Sequence, residues 1–285
     1  MSKKMTYELV LFLILAPFSF THAQKHVVNY VIEANALASD GNFAPLWFTA
    51  NRYGTMSNEN NQASLRAGVF TQNDLKHHWK VETGLELNGG ANLESSFHVH
   101  QAYLDVSWRK FTLSMGAKER MGSPLDRNHQ LSAGWMVEGP NVRPIPQVRA
   151  EFKDYLEIPG TKHWLAFKGH LAYGWFADGN WQEDFVGLDQ QFTKNVLYHS
   201  KSLMFRIGER NTFPLEFELG IITAAQFGGK RFKKQADGSI TELADMPNGI
   251  KDFFSILIPK QKSTLENVSG NHCGRSEEHF NNLNI

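Results

Sequence analysis

Apolar and polar residues alternate along most of this chain in runs of about ten positions, each closed by a turn. From Val28, one side of the run takes Val28, Tyr30, Ile32, Ala34 and Ala36, and the other takes Asn29, Glu33 and Asn35. From Trp79, the row Trp79, Val81, Thr83, Leu85 and Leu87 opposes Lys80, Glu82, Gly84, Glu86 and Asn88. Phe111, Leu113, Met115 and Ala117 oppose Thr112, Ser114, Gly116, Lys118 and Arg120. Later runs repeat the pattern: Val148, Ala150 and Phe152; Leu165 to Trp175; Leu203, Phe205 and Ile207; Leu215, Phe217, Leu219 and Ile221. With residues 62–72 and 98–109, this predicts about nine strands between Val27 and Gly228. Turn-rich pieces separate them, among them Asn58 to Gln62, Asn88 to Asn92, Asp178-Gly179-Asn180 and Asn211 to Pro214.

One apolar row and one charged, glycine-dotted row per strand is the pattern of an antiparallel transmembrane β-barrel, lipid outside and water within. Strands of ~9–11 residues cross a bilayer when tilted. A soluble β-sandwich or β-helix alternates too. The long strands, the charges of both signs on the polar rows, and the Trp and Tyr residues near strand ends favour the barrel. Two segments break the rhythm. Residues 121–147 read as a long loop rich in Gly, Pro and Asn. Residues 229–262 read as a second loop, with a basic cluster from Lys230 to Lys234 as a solvated face and a short helix near residues 250–258 stopped by Pro259.

The N-terminus adds a destination. Lys3 and Lys4 precede an apolar run from Leu9 to Phe20, and Thr21-His22-Ala23 supplies small residues before a cut. Residues 1–23 thus read as a signal peptide, with a mature start near Gln24. The apolar run falls short of the ~20 residues of a permanent membrane helix. No cysteine follows the cut, which argues against a lipoprotein. The chain's one cysteine, Cys273, allows no intrachain disulfide.

Charge and motifs narrow the chemistry. Lys+Arg and Asp+Glu both number 29 in the 285 residues, so no basic excess marks a nucleic-acid surface. No nucleophile elbow, phosphate loop or dinucleotide fingerprint occurs. His98 and His100 share a strand face, yet no ligand set of zinc-site spacing accompanies them, so neither a metal nor another cofactor is expected. Sugars need planar polar side chains beside aromatic rings. Residues 161–185 hold that mixture, with the girdle and the turn as the plainer account of the same residues.

Several strings resemble a known family. Phe43-Ala44-Pro45-Leu46-Trp47-Phe48-Thr49-Ala50-Asn51-Arg52-Tyr53-Gly54 is similar to the opening signature of the Bacteroidetes Wzi-type capsule assembly proteins. Arg143-Pro144-Ile145-Pro146-Gln147-Val148-Arg149, the block from Ile158 through Lys168-Gly169-His170 to Trp181-Gln182-Glu183-Asp184-Phe185, and Leu197-Tyr198-His199-Ser200-Lys201 continue it. Ala225-Gln226-Phe227-Gly228-Gly229, Lys251-Asp252-Phe253-Phe254 and Gly270-Asn271-His272 complete the series. The resemblance runs from about residue 28 to 272 in this order.

It implies an outer-membrane barrel of about eighteen strands, within the range such barrels adopt. It also implies a lectin-like, non-enzymatic protein that binds capsular polysaccharide and helps attach or assemble capsule at the cell surface. The implied partners are that polysaccharide, outer-membrane lipid and the barrel-insertion machinery. The family carries no ligand motif that transfers residue by residue. The expected binding residues are therefore charged inward residues and aromatics of the matching blocks: Arg120, Arg149, Trp164, Lys168, His170, Trp181, Glu183, Asp184 and Arg206. Family members continue into further strands beyond Gly270-Asn271-His272, whereas residues 273–285 here are polar. Residues 24–272 thus read as the N-terminal half of the family fold and an incomplete barrel. A porin-like channel, a non-functional fragment and a soluble periplasmic β-domain are the alternatives.

Overall fold

A computed structural model describes residues 25–120, 139–208 and 215–257. The signal peptide, the Asn211–Pro214 turn, most of the 121–147 loop, Pro259 and the 273–285 tail lie outside the described residues.

The chain is all-β, and the alternating runs form a single antiparallel sheet of nine strands. These are β1 (Lys25–Ala38), β2 (Asn61–Asp74), β3 (Trp79–Ala91), β4 (Phe97–Trp108), β5 (Phe111–Ala117), β6 (Gln147–Glu157), β7 (Leu165–Trp175), β9 (Leu197–Ile207) and β10 (Phe217–Phe227). Each pairs with the one before it in this order, so the sheet is a meander with β1 and β10 as its edges. β8 (Gln191–Lys194), β11 (Lys230–Lys234) and β12 (Ile240–Asp245) form a separate three-stranded sheet in the order β12-β11-β8. Short helices α1 (Leu46–Thr49), α2 (Trp181–Phe185) and α3 (Ile250–Ser255) lie in the connections.

Pairing register keeps the two rows of every strand on opposite faces. Tyr30 faces Val69, Val69 faces Leu85, and Leu85 faces Ala102 along one apolar row. Toward one end of the strands, Trp79 faces Trp108, Trp108 faces Phe111, and Phe111 faces Phe152. That second row is an aromatic band, with Trp79–Trp108 rings 6.4 Å apart and Phe111–Phe152 rings 5.5 Å apart in edge contact.

The burial is inverted relative to a water-soluble sheet. Glu86, Asn88, His100, Asp105 and Ser114 are almost wholly buried, whereas Tyr30 is 74% and Ile32 81% exposed. Leu65, Leu219 and Ile221 are exposed as well. The polar face is also concave. Lys153 on β6 lies 3.3 Å from Asp105 on β4 and 3.9 Å from Glu82 on β3. Neighbouring strands are about 4.8 Å apart, so three gaps in a flat sheet would separate β3 from β6 by about 14 Å. The sheet must curl around its charged face for these contacts to form.

The two ends of the sheet differ. Tight connections join β2 to β3, β4 to β5 and β6 to β7 at one end, the turn end, where the aromatic band lies. Residues 39–60, 118–120, 139–146 and 176–196, the short 92–96 connection and the described chain after β10 emerge at the other, the loop end. All three helices and the small sheet belong to the loop end. Helix α3 sits against the apolar side of the sheet. Tyr173 donates its hydroxyl hydrogen to the Phe253 carbonyl at 2.7 Å, and Lys201 donates to the terminal carbonyls of Ile256 and Leu257.

Several expectations are refined. The run read through Arg120 ends as strand at Ala117, and Lys118 to Arg120 leave the ladder. The basic cluster read as a solvated loop face is strand β11, because Asp237-Gly238 makes a hairpin turn, Gly238 at φ +81°, and returns β12 against it. Phe192 and Phe232 stack across β8 and β11, 5.5 Å apart. The expected helix is present and spans Ile250–Ser255. Among the described residues no helix is long and apolar enough to cross a membrane.

One close approach fixes the polar face. A side chain at Gly84 would place its Cβ 2.4 Å from Cε1 of Tyr103 and 2.7 Å from Cδ1 of Phe70. Gly84→Val is therefore expected to displace Tyr103 from its place under the Lys118 ammonium, 4.3 Å from the ring centre. The cost expected for such overpacking is about 1–3 kcal/mol. Urea unfolding in detergent micelles should show a lower midpoint; an unchanged midpoint would mean the sheet opens freely at this position.

Candidate functional site

The polar face carries two ion networks and one mixed cluster. The first centres on Arg66 of β2. Its guanidinium lies 2.8 Å from Glu86, 2.8 Å from Glu119 and 3.5 Å from Glu33, and Arg52 reaches the same Glu33 at 3.0 Å. Gln101 ties the Glu86 carboxylate to the Glu119 backbone: its amide nitrogen donates to Glu86 at 2.7 Å, and its oxygen accepts from the Glu119 N–H at 2.8 Å. His100 Nε2 is 2.7 Å from Glu119. A bulge lies between Glu86 and Leu87 on the neighbouring strand, and the His98 and His100 rings are 5.8 Å apart.

Glu86, His100 and Glu119 bring their ligand atoms within 4.8 Å of one another, a set that suits a divalent ion. The Arg66 guanidinium, however, already donates to both carboxylates. A dication would have to displace it or sit against it, so we read this cluster as a neutralised structural network. Burial pushes the Glu119 carboxyl up, but the His100 hydrogen bond and the Arg66 charge outweigh burial and leave it below the usual carboxylate range.

The second network gathers Asp105, Glu82, Lys118 and Lys153, with Lys118 2.7 Å from Asp105 and 3.6 Å from Glu82. The third cluster surrounds Tyr155, whose ring has Lys168 at 4.6 Å and Arg206 at 4.9 Å. On the same face His170 sits between Ser200 and Ser202, at 3.0 and 2.7 Å.

At the loop end the networks open into a cavity lined by Tyr53, Lys118, Arg120, Arg143, Gln147 and Tyr198, with Gly139, Val142, Pro144 and Ile145. Two connections are tied together to make it. The Tyr53 backbone N–H donates to the Pro140 carbonyl at 2.6 Å, and the Asn51 N–H donates to the Asn141 side chain at 2.7 Å. Burial, then the Glu119 charge, holds the Tyr53 phenol above its ordinary value, so it stays protonated. At the same end, Trp181 and Phe185 of α2 stack 4.8 Å apart, and the Trp181 indole donates to Glu94 at 3.0 Å.

The sequence-predicted residues fall into separate places. Arg120 and Arg149 are on the polar side near the loop end; Arg120 donates to Ser114 at 2.8 Å and Arg149 to Glu151 at 2.7 Å. Lys168 and Arg206 belong to the third cluster, and His170 lies on the same face between Ser200 and Ser202. Trp181, Glu183 and Asp184 are on α2, where Glu183 pairs with Lys194. Trp164 is in the β6–β7 turn at the opposite end, and β7 separates it from Trp181 by roughly 35 Å at strand rise. The set therefore does not make one site. Sequence reasoning did not single out Arg66, Glu119, Tyr53 or Arg143 as site residues. Arg66 and Glu119 meet only through curvature, which no spacing encodes, whereas Tyr53 and Arg143 lie within the family-like strings.

Arg66 is the test of the network. Arg66→Met leaves Glu86, only 1% exposed, without its cation, and breaking a buried pair in this way costs about 3–5 kcal/mol. The pH response follows from Glu119. Its folded carboxyl is depressed, so its stabilising contribution is full above the ordinary glutamate value of 4.5 and is lost as pH falls through the lower folded value. The wild-type denaturation midpoint should fall as the medium is acidified below about 4.5. The variant, short of a cation among carboxylates, should lose less over the same range. Parallel pH dependence of the two proteins would remove Arg66 from the network.

No protein-family model matches the chain, and no curated protein matches it.

Proposed function

We propose that the protein is a Wzi-type outer-membrane barrel component that binds capsular polysaccharide and holds it at the cell surface, without catalysing a reaction. The observation that carries this reading is the mouth of the concave face. There, guanidinium, ammonium, amide and phenol groups gather around one cavity, with the Trp181–Phe185 stack at the same end of the sheet. Polyhydroxylated rings are recognised by that combination of planar polar groups and aromatic faces.

The membrane assignment is supported by the inverted burial, the aromatic band at the turn end, and the longest connections all lying at the opposite end. Outer-membrane barrels have this asymmetry, with short periplasmic turns and longer extracellular loops. The signal-peptide reading of residues 1–23 and the ordered family-like strings support the same destination. The polar lumen-like face also favours a second reading, a porin-like channel. Conductance in a planar bilayer separates the two: the lectin reading expects little current, because the ion networks cross-link the concave face.

Val69, exposed in the middle of the apolar face, tests the membrane assignment. Val69→Arg in lipid costs about 2–4 kcal/mol near the bilayer midplane. The variant is expected to be depleted from the outer-membrane fraction, while the wild-type protein retains purified capsular polysaccharide in a pull-down. On a water-facing surface the same substitution would be neutral. Normal recovery of the variant would remove the membrane reading, and failure of folded wild-type protein to retain polysaccharide would remove the lectin reading.

A further inference from the structure

The loop-end cavity has a charge imbalance that the other networks lack. Among the described residues its lining holds three cations, Lys118, Arg120 and Arg143, and no carboxylate. Lys118 is compensated by Asp105 behind it, and Arg120 donates to Ser114. Arg143 forms no hydrogen bond and no ion pair among the described residues. Burial lowers its pKa, with only the Glu94 charge, beyond ion-pair distance, opposing the effect. Glu94 itself accepts from Trp181. A half-buried guanidinium without a counter-ion is costly, and a bound anion offsets that cost.

The position of Arg143 is also fixed from behind. Gly54, in left-handed backbone at φ +68°, packs beneath it, and a Cβ there would lie 3.1 Å from Cγ and 3.2 Å from the backbone nitrogen of Arg143. Gln147 supplies the second observation. It is 4% exposed, it lines the same cavity, and its Oε1 has no hydrogen-bond partner among the described residues. That oxygen accepts only, so its partner must donate. A phosphate at neutral pH offers mainly acceptors, whereas a sugar acid offers a carboxylate to the arginine and hydroxyl donors to the amide.

We infer that this cavity is a subsite for a carboxylate-bearing sugar, with Arg143 taking the carboxylate, Gln147 accepting from a ring hydroxyl, and Tyr53 and Tyr198 flanking the ring. The inference rests on the polysaccharide-binding reading and names the class of residue recognised.

The test uses the full chain refolded in detergent, its fold checked by heat-modifiable electrophoretic mobility. Calorimetric titration compares oligogalacturonate, a neutral maltooligosaccharide of equal length, and inorganic phosphate. Oligogalacturonate should bind at least about tenfold more tightly than the neutral probe and lose affinity with added salt. Arg143→Gln should weaken it by about tenfold or more, the scale of a charge-assisted hydrogen bond, and Arg143→Lys should recover part. Gly54→Ala, which removes no cavity side chain but pushes on Arg143, should weaken it as well. Equal binding of the acidic and neutral probes, or an Arg143→Gln variant that binds normally, would overturn the inference and leave the polysaccharide reading standing. Displacement of oligogalacturonate by equimolar phosphate would overturn it too, by making the cavity a general anion site. Failure of both oligosaccharides to bind would overturn it, while the capsule pull-down judges the broader reading independently.

Discussion

The structure depends on charges that neutralise one another on a buried concave face. A sheet with its apolar row turned outward has no hydrocarbon core to drive its curvature. What draws the strands around is the set of contacts across the inside, where Arg66, Glu86 and Glu119 join β2, β3 and the segment after β5. Lys153, Asp105 and Glu82 do the same for β6, β4 and β3. Buried ions carry a desolvation cost that their mutual attraction offsets only with good geometry and full hydrogen bonding. Gln101 serves that second condition for Glu86, donating to its carboxylate while accepting from the Glu119 backbone N–H. Specific curvature is what this arrangement provides. A lone charge on the same face would be a liability.

That constraint also explains where a ligand can be held. In the two ion networks the cations Arg66, Lys118 and Lys153 face carboxylates at short range, and Lys168 and Arg206 are engaged with the Tyr155 ring. Toward the loop end the strands release their hold: β5 stops at Ala117, and Lys118 and Arg120 project from irregular backbone. Arg143 comes from a separate connection that the Tyr53–Pro140 contact brings alongside. Positive charge thus accumulates at the point where the ladder no longer dictates side-chain placement. Binding sites are often carried on connections held by a rigid scaffold.

Much of the scaffold was legible in the sequence, because alternation has period two and the register keeps it. The nine runs read between Val27 and Gly228 correspond to the nine strands of the sheet, with ends shifted by a few residues. The short sheet was not legible: Lys230 to Lys234 has too little apolar content to alternate, and its status as strand comes from β8 and β12 on either side. The site was legible only in part. Trp164 and Trp181 share one family-like block, yet an entire strand lies between them. Conversely, Arg66 and Glu119 are far apart in the chain and meet at 2.8 Å on the concave face.

The direction of the strands adds a last constraint. Nine antiparallel strands leave β1 and β10 pointing the same way, so a seam between these two edges would be parallel in an otherwise antiparallel sheet. Single-chain bacterial barrels have even strand numbers, which avoids such a seam. An edge facing lipid cannot keep its N–H and C=O groups unpaired. On the membrane reading, each edge therefore requires a pairing partner, whichever chain supplies it. The edge at β10 lies next to the region where helix α3 covers Tyr173 and the Lys201 ammonium on the apolar side. A partner added there must pair below that helix or move it. The loop-end cavity draws its described lining from Tyr53 of the 39–60 connection, from the connection between β5 and β6, from Gln147 at the start of β6 and from Tyr198 near the start of β9, all inside the sheet's edges. Its recognition chemistry is therefore independent of how either edge is paired.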